Sequence, residues 1–103
     1  MLDAAREAFS FISGRARSDL NNNRMLVLSL VKDIEIIGEA AGKVSSETRN
    51  KSSGIPWLDI IDMRNHLIHA YFDVDLNIVW DTVTKDIPPL IEALEKILSS
   101  EKE

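Results

Sequence analysis

The stretch from Asn22 to Lys43 does most to constrain how this chain folds. Val27, Leu30, Val31, Ile34, Ile37, Gly38 and Ala41 recur at three- and four-residue steps, which predicts one long helix with a single apolar stripe. Met25, Leu28 and Ile36 lie off that stripe, so the helix is apolar on more than one side. A helix of this kind belongs at the centre of a bundle or in an oligomer interface. Gly38, Ala41 and Gly42 leave room for another helix to come close, at some cost in helix propensity.

The rest of the chain supplies neighbours for it. A first helix is expected from Leu2 to Ser13, with Leu2, Ala5, Phe9 and Ile12 on a narrow face and Gly14 as its stop. Pro56 suits the first turn of a third helix, where its missing N–H costs no bond, and the pattern continues from Trp57 to about Tyr71. Asp75 is placed to cap a fourth helix, with Val74 and Val79 as a hydrophobic staple and Leu76, Val79, Trp80, Val83 and Ile87 as its stripe. Pro88 and Pro89 then require a kink or a fresh start capped by Asp86, before Leu90, Leu94, Ile97 and Leu98 resume the periodicity. The polar stretches Gly14 to Arg24 and Ser45 to Gly54 punctuate these segments. The expectation is one all-α domain over residues 1–103, an antiparallel bundle of four or five helices.

Charge narrows the function. The net charge is −5, which argues against a protein that holds nucleic acid by a large basic surface, so any RNA contact must be local. Residues 1–54 carry eight bases and seven acids, while residues 55–103 carry four bases and ten acids. The absence of cysteine excludes disulfides and thiolate metal sites and fits a reducing cytoplasm, the expected location. No apolar run approaches the length of a membrane span, about 20 residues, and nothing resembles a signal peptide.

The third helix breaks its own pattern. At about 100° per residue from Trp57, Arg64 falls at about 340°, between Ile60 at about 300° and Ile68 at about 20°. A guanidinium cannot shed its charge, so a place in an apolar face requires a carboxylate or phosphate partner. A structural ion pair, or an arginine snorkelling at the bundle edge, satisfies that requirement, and so does a functional site. Asp62, Asn65 and His69 form a polar strip beside the apolar face, and a histidine there can act as acid or base near neutral pH. His69 equally suits a helix C-terminus, where a partly positive imidazole is favoured. His66 and His69 with Asp62 offer a weak metal pattern, since His66 points about 60° away from His69 on the wheel. No serine-type triad, glycine-rich phosphate loop or cysteine nucleophile is present.

The run Arg64-Asn65-His66-Leu67-Ile68-His69-Ala70-Tyr71 resembles the signature of the HEPN superfamily, in the His-x-Tyr form that marks HepT-like toxins. Ile36-Ile37-Gly38-Glu39-Ala40-Ala41, Ile55-Pro56-Trp57, Tyr71-Phe72-Asp73-Val74-Asp75 and Val79-Trp80 resemble further motifs of that family in the same order, covering residues 36–80. The resemblance implies a HEPN-type helical bundle that forms a homodimer, with the Arg and His motifs of two subunits facing one cleft. It implies the toxin of a type VII toxin–antitoxin system: a metal-independent endoribonuclease, without cofactor, that cleaves RNA by attack of the 2′-hydroxyl. On this sequence His69 would be the acid or base, Arg64 would hold the scissile phosphate and Asn65 would help position the site. Tyr71 would be the residue to which a minimal nucleotidyltransferase (MNT-type) antitoxin attaches AMP. A tyrosine there otherwise suits a half-buried aromatic with a wet hydroxyl. Glu39 and Asp62 are the acids to test as supporting partners of Arg64 or His69. Relatives carry a longer first helix than the region matching Leu2 to Ser13. The alternative function is a non-catalytic dimeric helical module that binds or regulates a nucleotidyltransferase. Arg6, Arg15, Arg17 and Arg24 are available to supply a positive field, or are solvated surface residues.

Overall fold

The computed structural model describes residues 1–69 and 74–101, and the side chains of these other than 67–69, 100 and 101. Among the described residues every regular element is helical: α1 (Leu2–Phe11), α2 (Asp19–Asn22), α3 (Arg24–Gly42), α4 (Ser46–Lys51), α5 (Trp57–His69), α6 (Leu76–Asp81) and α7 (Ile87–Glu101). A π-helical turn, Thr82–Asp86, joins α6 to α7. None of the described helices is long and apolar enough to cross a membrane.

α3 is the central element, packed against α5 and α1 and also meeting α2 and α6, while α7 packs on α1. Its Leu30 is fully buried, and so are Val79 and Val83 from the α6 side. Each such side chain contributes about 1.5–3 kcal/mol of burial. Ala5 and Ala8 keep the α1 contact close because nothing longer than a methyl separates the backbones. α5 starts beside α4, where the Trp57 indole N–H donates to the Ser52 carbonyl (3.1 Å). It returns antiparallel to α3, since the following α6 reaches the N-terminal end of α3 and its Asn77 accepts from Arg17 there (2.8 Å).

Local hydrogen bonds move several boundaries. Asn23 Oδ1 accepts the Leu26 N–H (3.0 Å), so α3 begins at Arg24 rather than Asn22. α1 ends at Phe11 rather than Ser13, and Gly14, at φ +73°, takes the left-handed conformation that turns the chain. α2 and α4 lie in the stretches expected to be punctuation. Ser45 Oγ caps α4 by accepting the Thr48 N–H (3.2 Å), and α4 buries no side chain, so hydrophobic periodicity could not register it. α5 is assigned to His69, and Tyr71 lies outside the described residues.

Asp75 does cap α6, accepting from the N–H groups of Asn77 and Ile78. Asp86, however, starts no new helix: it sits inside the π turn, and the helical backbone runs on into α7. Pro88 and Pro89 lack the N–H groups that would continue an i to i−4 ladder, and the wider turn adjusts for this by bonding the Ile87 N–H to the Thr82 carbonyl. The outer face of α3 is also not enclosed within one chain. Met25 is 80% exposed, and Leu28 and Ile36 are exposed as well.

One buried acid lies where the stripe of α3 meets α1. Asp33 is 2% exposed, and its Oδ2 has no hydrogen-bond partner among the described residues. Burial pushes its carboxyl up to about 7, and the neighbouring Glu7 of α1 adds to the rise by hydrogen bonding to the protonated form and by charge repulsion. The folded protein therefore holds this proton more tightly than the unfolded chain, where an aspartate titrates at about 3.9. The stability it contributes is complete below the unfolded value and is lost as pH rises through about 7. Thermal melts are expected to fall by about 5 °C or more between mildly acidic and mildly alkaline pH. Asp33→Asn should flatten that decline and melt above the wild type in alkali; equal melting of the two proteins there would show that no charge is being buried.

Candidate active site

The close packing of α3 and α5 places Arg64. A Cβ built on Gly38 would lie 2.1 Å from Arg64 Cβ and 2.5 Å from Arg64 Cγ, so only glycine lets the arginine stem cross α3 at this point. The stem lies against α3 and the guanidinium reaches past it, leaving the side chain 28% exposed. There Nη2 meets Glu39 Oε1 at 3.1 Å and Nη1 donates to Asn65 Oδ1 at 2.8 Å. Nε is buried without a partner among the described residues.

Of the residues singled out from sequence, Arg64, Asn65 and Glu39 are thus brought together. The carboxylate that an arginine in an apolar face requires comes from α3, one residue after the glycine that admits the stem. Glu39 is itself 56% exposed, so the pair is half-solvated and weak as a source of stability. Asp62 is exposed and makes no ion pair or hydrogen bond with Arg64. His66 is exposed. His69 is the last residue of α5, and its side chain, like Tyr71, lies outside what is described. Among the described residues no three His, Cys, Asp or Glu side chains gather as metal ligands.

A cavity of about 290 Å³ opens elsewhere, between α3, the start of α5 and the π turn. Ile34, Ile37, Ile60, Met63 and Leu90 line it, with Asp59, Lys85 and Asp86 also at its wall. Arg64 and Glu39 do not contribute to it, so this hollow and the arginine site are distinct.

Comparison with known proteins bears on the site at this point. Residues 1–97 match the family described as "Ribonuclease HepT-like". The chain belongs to the HepT-like ribonuclease family. It is 40% identical over 91 residues to a protein of Caldanaerobacter subterraneus subsp. tengcongensis named "Putative RNase", covering 88% of this chain and 81% of that one. A Methanocaldococcus jannaschii protein with the same designation is 30% identical over 95 residues, covering 92% and 87%. The protein of Thermococcus cleftensis named "Probable ribonuclease HepT" is 41% identical over 69 residues, covering 67% and 63%. No solved structure matches the chain. Family membership supports an RNA-cleaving enzyme.

Sequence reasoning credited Gly38 with admitting a helix but did not identify which residue it admits. The signal was available, because Gly38 is the smallest residue on the stripe of its helix and Arg64 the one charge within the apolar face of the other. Gly38→Ala is expected to melt below the wild type: overpacking against a backbone-proximal stem costs about 1–3 kcal/mol. That exceeds the gain in helix propensity, about 1 kcal/mol at most. Unchanged melting would show that the two helices part without consequence.

Proposed function

We propose that this protein is the toxin of a toxin–antitoxin pair, a metal-independent endoribonuclease that acts as a homodimer through Arg64 and His69. The observation that carries this reading is the state of Arg64 in a HepT-like ribonuclease. Its guanidinium is held by Glu39 and Asn65 through one N–H of each Nη, and the second N–H of each is left to donate to a phosphate oxygen, so a fixed, partly exposed cation is available.

RNA carries its own nucleophile. His69 removes the proton of a ribose 2′-hydroxyl, the freed oxygen attacks the adjacent phosphorus, and Arg64 stabilises the charge on the pentacoordinate phosphate. The 5′-oxygen of the next nucleotide leaves and takes a proton, giving a 2′,3′-cyclic phosphate. In a dimer the second copy of His69 can supply that proton. DNA is not cut, for want of the 2′-hydroxyl. Asn65 holds Arg64 in place, and Glu39 keeps the guanidinium neutralised until phosphate arrives. The apolar side chains left exposed on α3, Met25, Leu28 and Ile36, suit burial against a second subunit. An MNT-type nucleotidyltransferase acts as antitoxin: the Tyr71 hydroxyl attacks the α-phosphate of ATP, pyrophosphate leaves, and the AMP group repels RNA from the cleft.

Cleavage of structured RNA in EDTA, by protein made without its partner, tests the reading. His69→Ala should lower the rate by about 10²–10⁴-fold, the usual contribution of a positioned acid or base, and wild-type product ends should be cyclic phosphates. Arg64→Ala should weaken cleavage without undoing the dimer. Joint production with the partner should add the mass of AMP to the wild type and not to Tyr71→Phe. A folded, unmodified dimer that leaves several RNAs intact would instead support the non-catalytic module that binds a nucleotidyltransferase.

A further inference from the structure

The ribonuclease reading leaves an electrostatic problem. The chain is acidic overall, and residues 59–86, which carry the Arg and His motif, hold six acids and two bases. RNA must therefore gain its positive field from another part of the fold. The connection between α1 and α3 offers one: Arg15, Arg17 and Arg24 stand against a single acid, Asp19. Arg6 is not available in the same way, since Glu95 engages it at 3.0 Å.

This connection is folded and braced. Asp19 accepts the Ala16 N–H (2.7 Å), so its carboxylate is turned to the backbone. Arg17 donates to Asn77 of α6 (2.8 Å) and to Asn21 (3.0 Å), tying the connection to the element that follows the motif helix. Arg15 and Arg24 are exposed and make no ion pair among the described residues. Arg24 also occupies the first turn of α3, where the helix dipole disfavours a cation and favours an anion. Arg24 thus stands at the N-terminus of α3, and Arg15 lies at the start of the same braced connection nine residues before it.

The place of that end matters. α5 runs antiparallel to α3, so from Arg64 the motif helix leads through His69 towards the end that carries Arg17 and Arg24. From Arg24 to Glu39 the rise of α3 is about 22 Å, a span that a strand of several nucleotides can bridge. We propose that the Arg15–Arg24 connection grips the phosphates of the RNA strand flanking the cut, with Arg15 and Arg24 in contact and Arg17 as their brace. This rests on the ribonuclease reading and extends it to how an acidic protein holds its substrate.

The test uses the intact chain carrying His69→Ala and a fluorescein-labelled single-stranded RNA, with affinity measured across a salt series. Adding Arg15→Gln and Arg24→Gln should weaken binding by at least about fivefold at low salt and reduce the salt slope by about 1.4, the loss of two phosphate contacts. Each single substitution should reduce the slope by about half as much, which keeps the test usable if the double variant melts low. Affinity and slope equal to those of the His69→Ala parent would overturn the proposal, and the ribonuclease reading would then stand or fall on wild-type cleavage of the same RNA. A parent that binds no RNA, together with a wild type that does not cleave it, would remove both.

Discussion

The contact between α3 and α5 at Gly38 sets the geometry on which the rest depends. The absence of one methyl group lets the stem of Arg64 cross α3, and the guanidinium emerges beside Glu39. A charged residue can stand in the apolar face of a helix only if its stem is packed and its head reaches a partner. Both conditions are met within two consecutive residues of α3. The ion pair is too exposed to hold the helices together by itself, so close backbone packing fixes the arginine and the arginine does not fix the packing.

Charge is then distributed by the fold more than by the sequence. The acidic second half of the chain contributes the motif helix, and the first half, with eight bases to seven acids, supplies the arginine-bearing connection that Arg17 ties to α6. Asp33 illustrates the opposite case, an acid that folding takes out of water. With Glu7 as its neighbour rather than a cation, it keeps its proton to about 7 and links the α1–α3 contact to pH. Nothing in the spacing of Asp33 suggests this, although its position four residues before Ile37 already places it at the edge of the stripe.

The elements missed or misjudged share one cause. α2 and α4 are each less than two turns long, α2 burying only Leu20 and α4 no side chain, so a search for periodicity passes over them. At Pro88 and Pro89 two missing donors were expected to break or bend the helix. A π turn placed one residue ahead of them carries the backbone through, with the Thr82 and Thr84 hydroxyls donating to the carbonyls of Ile78 and Trp80. Local rules stated the difficulty correctly, and the packing of Val83 and Ile87 into the core selected the solution.

By itself the sequence determined the all-helical class, the central place of α3, the cap at Asp75, the chain turn at Gly14 and the need of Arg64 for a charged partner. Each of these follows from a short-range rule: the helical repeat, a cap, or the cost of an unpaired charge. Only the tertiary structure decided that Glu39 and not Asp62 meets Arg64, that Gly38 is what makes room for it, and that Asp33 faces Glu7. It also decided that the arginine-bearing connection is pinned to α6. Those pairings join residues far apart in the chain, and their partners are chosen by which helix faces pack together, a property of the whole core rather than of any segment within it.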